Sequence, residues 1–166
     1  MFLVKIIFLT KYSIIMYYPK IKIVLAAFVL FTLSNTSTIQ SQNSVAIDTK
    51  TASKTMEWMD CPPFMPEGCA VTVLNGDPSK GNFDILYKVP ANVTIAKHWH
   101  TSAERMILLT GEMTVTYDGE KPTVLKPGTY AYGPAKKPHI AKCGDKGPCT
   151  LFIAFEEPMD AIEVKN

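Results

Sequence analysis

A chain of 166 residues can bury one sizeable core, and is too short for two ordinary domains once a targeting segment is set aside. Its formal charge of +2 comes from 17 basic and 15 acidic residues, but residues 1–41 hold four of the lysines and no acid. The remainder therefore carries 13 basic against 15 acidic residues, which lacks the electrostatic footprint of nucleic-acid binding.

The first element reads as an export signal. IVLAAFVLFTL (Ile23–Leu33) is an eleven-residue apolar run behind Lys20 and Lys22 and ahead of a polar stretch, the order of regions in a secretory signal peptide. As a helix it rises about 16 Å, too little to cross the ~30 Å hydrocarbon core of a bilayer. Met16 offers an alternative start, because MYYPKIK makes a compact basic segment. The competing reading is an uncleaved anchor of two apolar segments around Pro19. We expect residues 1–41 to be removed near Ser41, a secreted or periplasmic location, and no membrane attachment afterwards. Residues 42–56 are polar and aperiodic, and read as a flexible leader.

From Glu57 the text becomes short strand-like runs rich in Val, Ile, Thr and Tyr, cut by Pro and Gly. AVTVLN, NFDILYKV, VTIAKHW, RMILLT, EMTVTY, TVLKPGTYAY and TLFIAF follow one another at close spacing. Such a series predicts an all-β fold, an antiparallel sandwich or small barrel, in one domain over residues 57–158. Residues 159–166 read as a tail, with at most a short helical turn near PMDAIEV.

Four cysteines, an even count, lie in the exported part and favour disulfides. CPPFMPEGC and CGDKGPC each look like a loop closed on itself, so Cys61–Cys69 and Cys143–Cys149 are the expected bridges. Metal-binding thiolates are the alternative, but neither pair has the short gap of a zinc knuckle.

The three histidines of the chain are His98, His100 and His139. Strand alternation sends His98 and His100 to one face and Lys97 and Trp99 to the other. The next strand can bring Glu104 to the same interior, and His139 completes the set if its strand closes the same barrel. Two or three imidazoles and a carboxylate at one point form a coordination shell for a divalent transition metal. An isolated His-x-His on a surface strand would carry no such meaning.

The whole pattern resembles the cupin superfamily. Its first motif reads G-x5-H-x-H-x3/4-E-x6-G, and His98, His100, Glu104 and Gly111 stand in register with it. The second reads G-x5-P-x-G-x2-H-x3-N, and Gly128, Pro134 and His139 match. Sixteen residues separate the motifs, and the resemblance spans Cys69 to Phe155, including the lead-in GDPSKGNF. Asn92 and Lys136 stand where the motifs have glycine, and Cys143 where asparagine is frequent. The resemblance implies a jelly-roll (double-stranded β-helix) barrel, with His98, His100, Glu104 and His139 holding Fe, Mn, Ni, Cu or Zn.

Three histidines and one carboxylate leave positions open on a five- or six-coordinate ion, unlike a closed structural zinc site. The expected activity is of dioxygenase type on a small oxygen-chelating substrate. A metal-dependent lyase or isomerase, or a non-catalytic binding or sensor module, are the alternatives, because fold does not fix function. Arg105, the single arginine, is expected to point outward and pair with an acid, so phosphorylated sugars are poor candidates. Met106 should line the cavity. Tyr130 and Tyr132 are candidate catalytic phenols if they face inward, and barrel packing otherwise. Trp99 should lie outside the barrel, where a homodimer contact is one use for it.

Overall fold

The computed structural model describes residues 46–165. The expected signal segment, residues 1–41, lies outside the described residues. Helix α1 (Thr49–Thr55) is followed by eleven strands: β1 (Met59–Asp60), β2 (Ala70–Asp77), β3 (Gly81–Val89), β4 (Thr94–Trp99), β5 (Glu104–Thr110), β6 (Met113–Tyr117), β7 (Thr123–Leu125), β8 (Tyr130–Gly133), β9 (His139–Cys143), β10 (Cys149–Phe155) and β11 (Ile162–Glu163). They form two sheets, in the order β1-β2-β3-β10-β5-β8 and β11-β4-β9-β6-β7. Every pairing is antiparallel. The fold is the expected jelly roll, although the two sheets remain separate ladders and do not close into one hydrogen-bonded barrel.

Alternation builds the core. Residues of β10 are buried at every second position from Cys149 to Phe155, and β9 alternates in the same way. Phe83, Leu86, Leu108, Leu151 and Val89 are almost completely enclosed. Phe83 stacks on Phe155 with ring centroids 5.0 Å apart. Both disulfides are present, Cys61–Cys69 and Cys143–Cys149, with Cα atoms 5.6 and 5.9 Å apart. The second lies wholly inside the core. Among the described residues no helix is long and apolar enough to cross a membrane.

Three local expectations differ from the structure. The segment read as a flexible leader contains α1, because Asp48 caps it: its carboxylate accepts from Lys50 N and Thr51 Oγ1, both at 3.0 Å. Ala52 of that helix is buried. The run TVLKPGTYAY is two strands rather than one. Pro127 and Gly128 break it, with Gly128 at φ 86°, and the chain passes from one sheet to the other between β7 and β8. The segment read as a tail, with a helical turn, instead supplies β11, which pairs Ile162 with Trp99 and Glu163 with His98.

Candidate metal centre

The site is assembled from both sheets. β4 breaks its own alternation: Ile95 and His98, three residues apart, are both buried, and the β4–β9 register shifts between them. A bulge of this kind re-aims side chains. It delivers His98 to a position directly across from His139 on β9, with ring centroids 4.3 Å apart. His100 follows the end of β4, its ring centroid 4.8 Å from that of His98. One ring nitrogen from each of the three imidazoles lies within 4.8 Å of the other two, close enough to hold a metal ion.

Glu104 arrives from the other sheet, as the first residue of β5. Its Oε1 is 3.4 Å from His100 Nε2 and its Oε2 is 3.9 Å from His139 Nε2. Buried Ser102 shapes the turn before it. The hydroxyl donates to Ala103 O at 2.8 Å and accepts from the backbone N–H groups of Glu156 and Glu157. Thus the four residues expected to form a ligand set are brought together, as a tight group of three imidazoles with the carboxylate against two of them.

Each imidazole is fixed in one tautomer by a backbone carbonyl. His98 Nδ1 contacts Ala96 O at 2.8 Å, His100 Nδ1 contacts Asp160 O at 2.5 Å, and His139 Nδ1 contacts Lys137 O at 3.3 Å. A carbonyl can only accept, so the proton sits on Nδ1 and the Nε2 lone pair is free. Burial, and then the neighbouring histidines, push the His98 pKa down to about 3. Burial also lowers that of His139. Both rings are therefore neutral at physiological pH, the form that binds metal. The buried Glu104 carboxylate has no lysine or arginine among the residues lining the adjoining cavity. Buried charges require compensation, and a divalent cation held by the Nε2 atoms would supply it. The residues fit a metal ion.

Asp160, which belongs to no motif in the sequence, is central to the frame. Besides receiving His100, it takes Thr101 N on Oδ1 at 2.8 Å and Thr101 Oγ1 on Oδ2 at 2.5 Å. Val164 N donates to Lys97 O, which ties the segment down further. Residues 159–161 line the cavity, as do Asp60, Cys61, Pro62 and Met65 from the other end of the domain.

The cavity beside the imidazoles has a volume of about 180 Å³ and mainly apolar walls, among them Ile85, Met106, Val115, Leu151 and Phe155. Met106 lines it as expected. Arg105 pairs with Glu156, at the surface. Trp99 is half-buried, its backbone covered by β11. The two candidate phenols are not in the site. Tyr130 and Tyr132 are 61% and 54% exposed, because Ala131 and Gly133 occupy the inward positions of edge strand β8. Tyr87 and Tyr117 line the cavity in their place. The signal for them is alternation, since Tyr87 shares parity with Phe83 and Ile85, and Tyr117 with Met113 and Val115.

Two glycine replacements in the motifs are explained by the backbone. Asn92 and Lys136 adopt φ values of 64° and 60°, so the left-handed conformation that favours glycine is kept without it.

A jelly roll of two antiparallel sheets, with three inward imidazoles and a glutamate beside an apolar cavity, defines a cupin. The chain belongs to the ChrR cupin-like domain family, whose model matches residues 46–158. Among solved structures, it is similar to the DMSP lyase DddQ from Ruegeria pomeroyi DSS-3. The TM-score is 0.59 at 18% identity, covering 76% of this chain and 73% of that one. The polyketide cyclase RemF from Streptomyces resistomycificus gives a TM-score of 0.61 at 16% identity, covering 75% and 87%. KdgF from a Halomonas species gives 0.53 at 19% identity, covering 70% and 97%. At these identities the likeness is one of fold. No curated protein matches the sequence.

Proposed function

We propose that the protein is an exported metalloenzyme of dioxygenase type, in which His98, His100, His139 and Glu104 hold a divalent transition metal. Fe, Mn, Ni, Cu and Zn are the ions such a donor set accepts. The observation that carries this reading is the convergence of three imidazoles, each with Nδ1 taken by a backbone carbonyl and Nε2 left to face the others. A divalent ion bound there supplies Lewis acidity and open coordination positions for a chelating substrate and dioxygen. Glu104 contributes negative charge from the opposite sheet. The apolar walls keep water from the reacting groups. With no lysine or arginine among the lining residues, the cavity suits small oxygen-chelating compounds better than phosphorylated ones. Two disulfides support an oxidising, exported setting.

The test is metal analysis of protein purified without a histidine tag, followed by an oxygen-uptake screen over diketones and enols. Near-stoichiometric metal is expected in the wild type and loss of it in His98→Ala and His139→Ala. Full retention in both variants rejects the site. Substrate turnover without oxygen consumption would move the chemistry to the lyase or isomerase class, and binding without turnover to a sensor.

A further inference from the structure

The metal reading leaves two groups in the cavity without a task. Tyr87 lies on β3 of the six-stranded sheet and Tyr117 on β6 of the other, and both line the cavity from opposite sides. Both hydroxyl oxygens are buried, and neither has a hydrogen-bond partner within the protein among the described residues. This is unusual for a tyrosine, whose hydroxyl finds a partner when buried in the great majority of cases. A phenylalanine would fill either position with the same ring and none of the desolvation cost.

Position relates Tyr117 directly to the centre, while Tyr87 lines the same cavity as the imidazoles. The Tyr117 ring is 4.9 Å from that of His139, its cross-strand partner. The hydroxyl of Tyr117 and Glu104 Oε2 crowd the same spot over the Cα of Gly133. The phenols are protonated at neutral pH, so each is a buried donor, on a residue that lines the cavity, with no acceptor among the described residues.

We propose that Tyr87 and Tyr117 are the substrate-recognition residues of this site, donating hydrogen bonds to oxygen atoms of a small, otherwise apolar ligand whose oxygens also reach the three-histidine centre. The proposal rests on the metal-centre reading and adds the ligand class to it. Two neutral donors and no lysine or arginine in the lining select neutral carbonyl or enol oxygen, or a singly charged hydroxamate, over phosphate or sulfate dianions, whose extra charge would go unbalanced. The cavity, at about 180 Å³, is below the roughly 300–1,000 Å³ of pockets for drug-sized molecules, which limits the ligand to a few carbons.

The experiment uses acetohydroxamate, a small oxygen chelator, titrated into Co(II)-loaded wild type, Tyr87→Phe and Tyr117→Phe and followed by the visible spectrum of the metal. Metal-free melting temperatures of the same three proteins are the second readout. Expected are unchanged metal content, melting temperatures equal to or above wild type, and probe affinity weakened at least tenfold in each variant. Probe affinity within twofold of wild type in both variants overturns the proposal, as does metal-loaded wild type that ignores the probe. A lower melting temperature in both variants also overturns it, by showing that the hydroxyls serve the fold. Wild type that fails to take up Co(II) defeats the metal reading itself, and the melting temperatures still report on the tyrosines.

Discussion

Gly133 tests the packing of the site more sharply than any ligand does. It sits opposite Glu104 in the β5–β8 ladder and is not among the residues with positive φ, so alanine meets no backbone penalty there. Space is the obstacle. A Cβ would collide with the Tyr117 hydroxyl and approach Glu104 Oε2 to 2.9 Å and Tyr117 Cζ to 3.3 Å. Overpacking of this kind costs roughly 1–3 kcal/mol. Tyr117→Phe deletes the colliding oxygen and leaves the 3.3 Å ring contact, which small shifts absorb. The cost of Gly133→Ala should therefore fall by about 1 kcal/mol in the Tyr117→Phe background, while the approach to Glu104 remains. Urea unfolding of the four metal-free proteins completes a double-mutant cycle. Metal is kept out because binding adds its own stabilisation. Additivity within about 0.5 kcal/mol, the usual figure for independent sites, would show that the Tyr117 hydroxyl is not where the geometry places it.

Glu104→Gln keeps volume and removes charge, so metal affinity should weaken tenfold or more, about 1.4 kcal/mol; intact affinity with lost turnover would make Glu104 a base rather than a ligand. Lys136→Gly should raise the melting temperature, because a left-handed non-glycine residue costs roughly 1–2 kcal/mol against ~0.4–1 for glycine's freedom in the unfolded chain; a decrease would refute this. Thiol counting on non-reduced protein should find none, and each bridge, closing separations of 8 and 6 residues, should contribute about 2–2.5 kcal/mol by loop entropy. Metal-free protein should lose stability as pH falls. The His98 pKa is depressed to about 3 from 6.5, so its contribution is complete above 6.5 and disappears between 6.5 and 3. The loss should be smaller in His98→Gln, and an equal loss in that variant would exclude His98 as its source.

Much of this was legible because it obeys short-range rules. His98 and His100 are two residues apart, and a period of two is all that is needed to put them on one face. The cysteine loops close over a few residues with proline and glycine between the thiols. Asn92 and Lys136 could be matched to glycine positions by spacing alone, and their positive φ values follow. The facing of the edge tyrosines stays open in the sequence for an equally local reason. Alternation says that Tyr130 and Tyr132 share a face but not which one; in the structure the small neighbours Ala131 and Gly133 take the inward positions.

What stayed hidden depends on contacts between distant parts of the chain. Asp160 is 60 residues from His100, whose Nδ1 its carbonyl receives, and nothing in PMDAIEV announces that role. The terminal segment looks dispensable because its contribution is made by backbone: a carbonyl to His100, a short ladder to His98 and Trp99, and a further N–H to Lys97. Backbone groups carry no residue signature, so a sequence motif records the ligands and omits what aims them. The same holds for Gly133, whose significance lies in the side chain it lacks. A centre of this kind is specified twice. Four side chains carry the candidate donor atoms, and a set of carbonyls, a missing Cβ and a bulge in β4 decide where those atoms point.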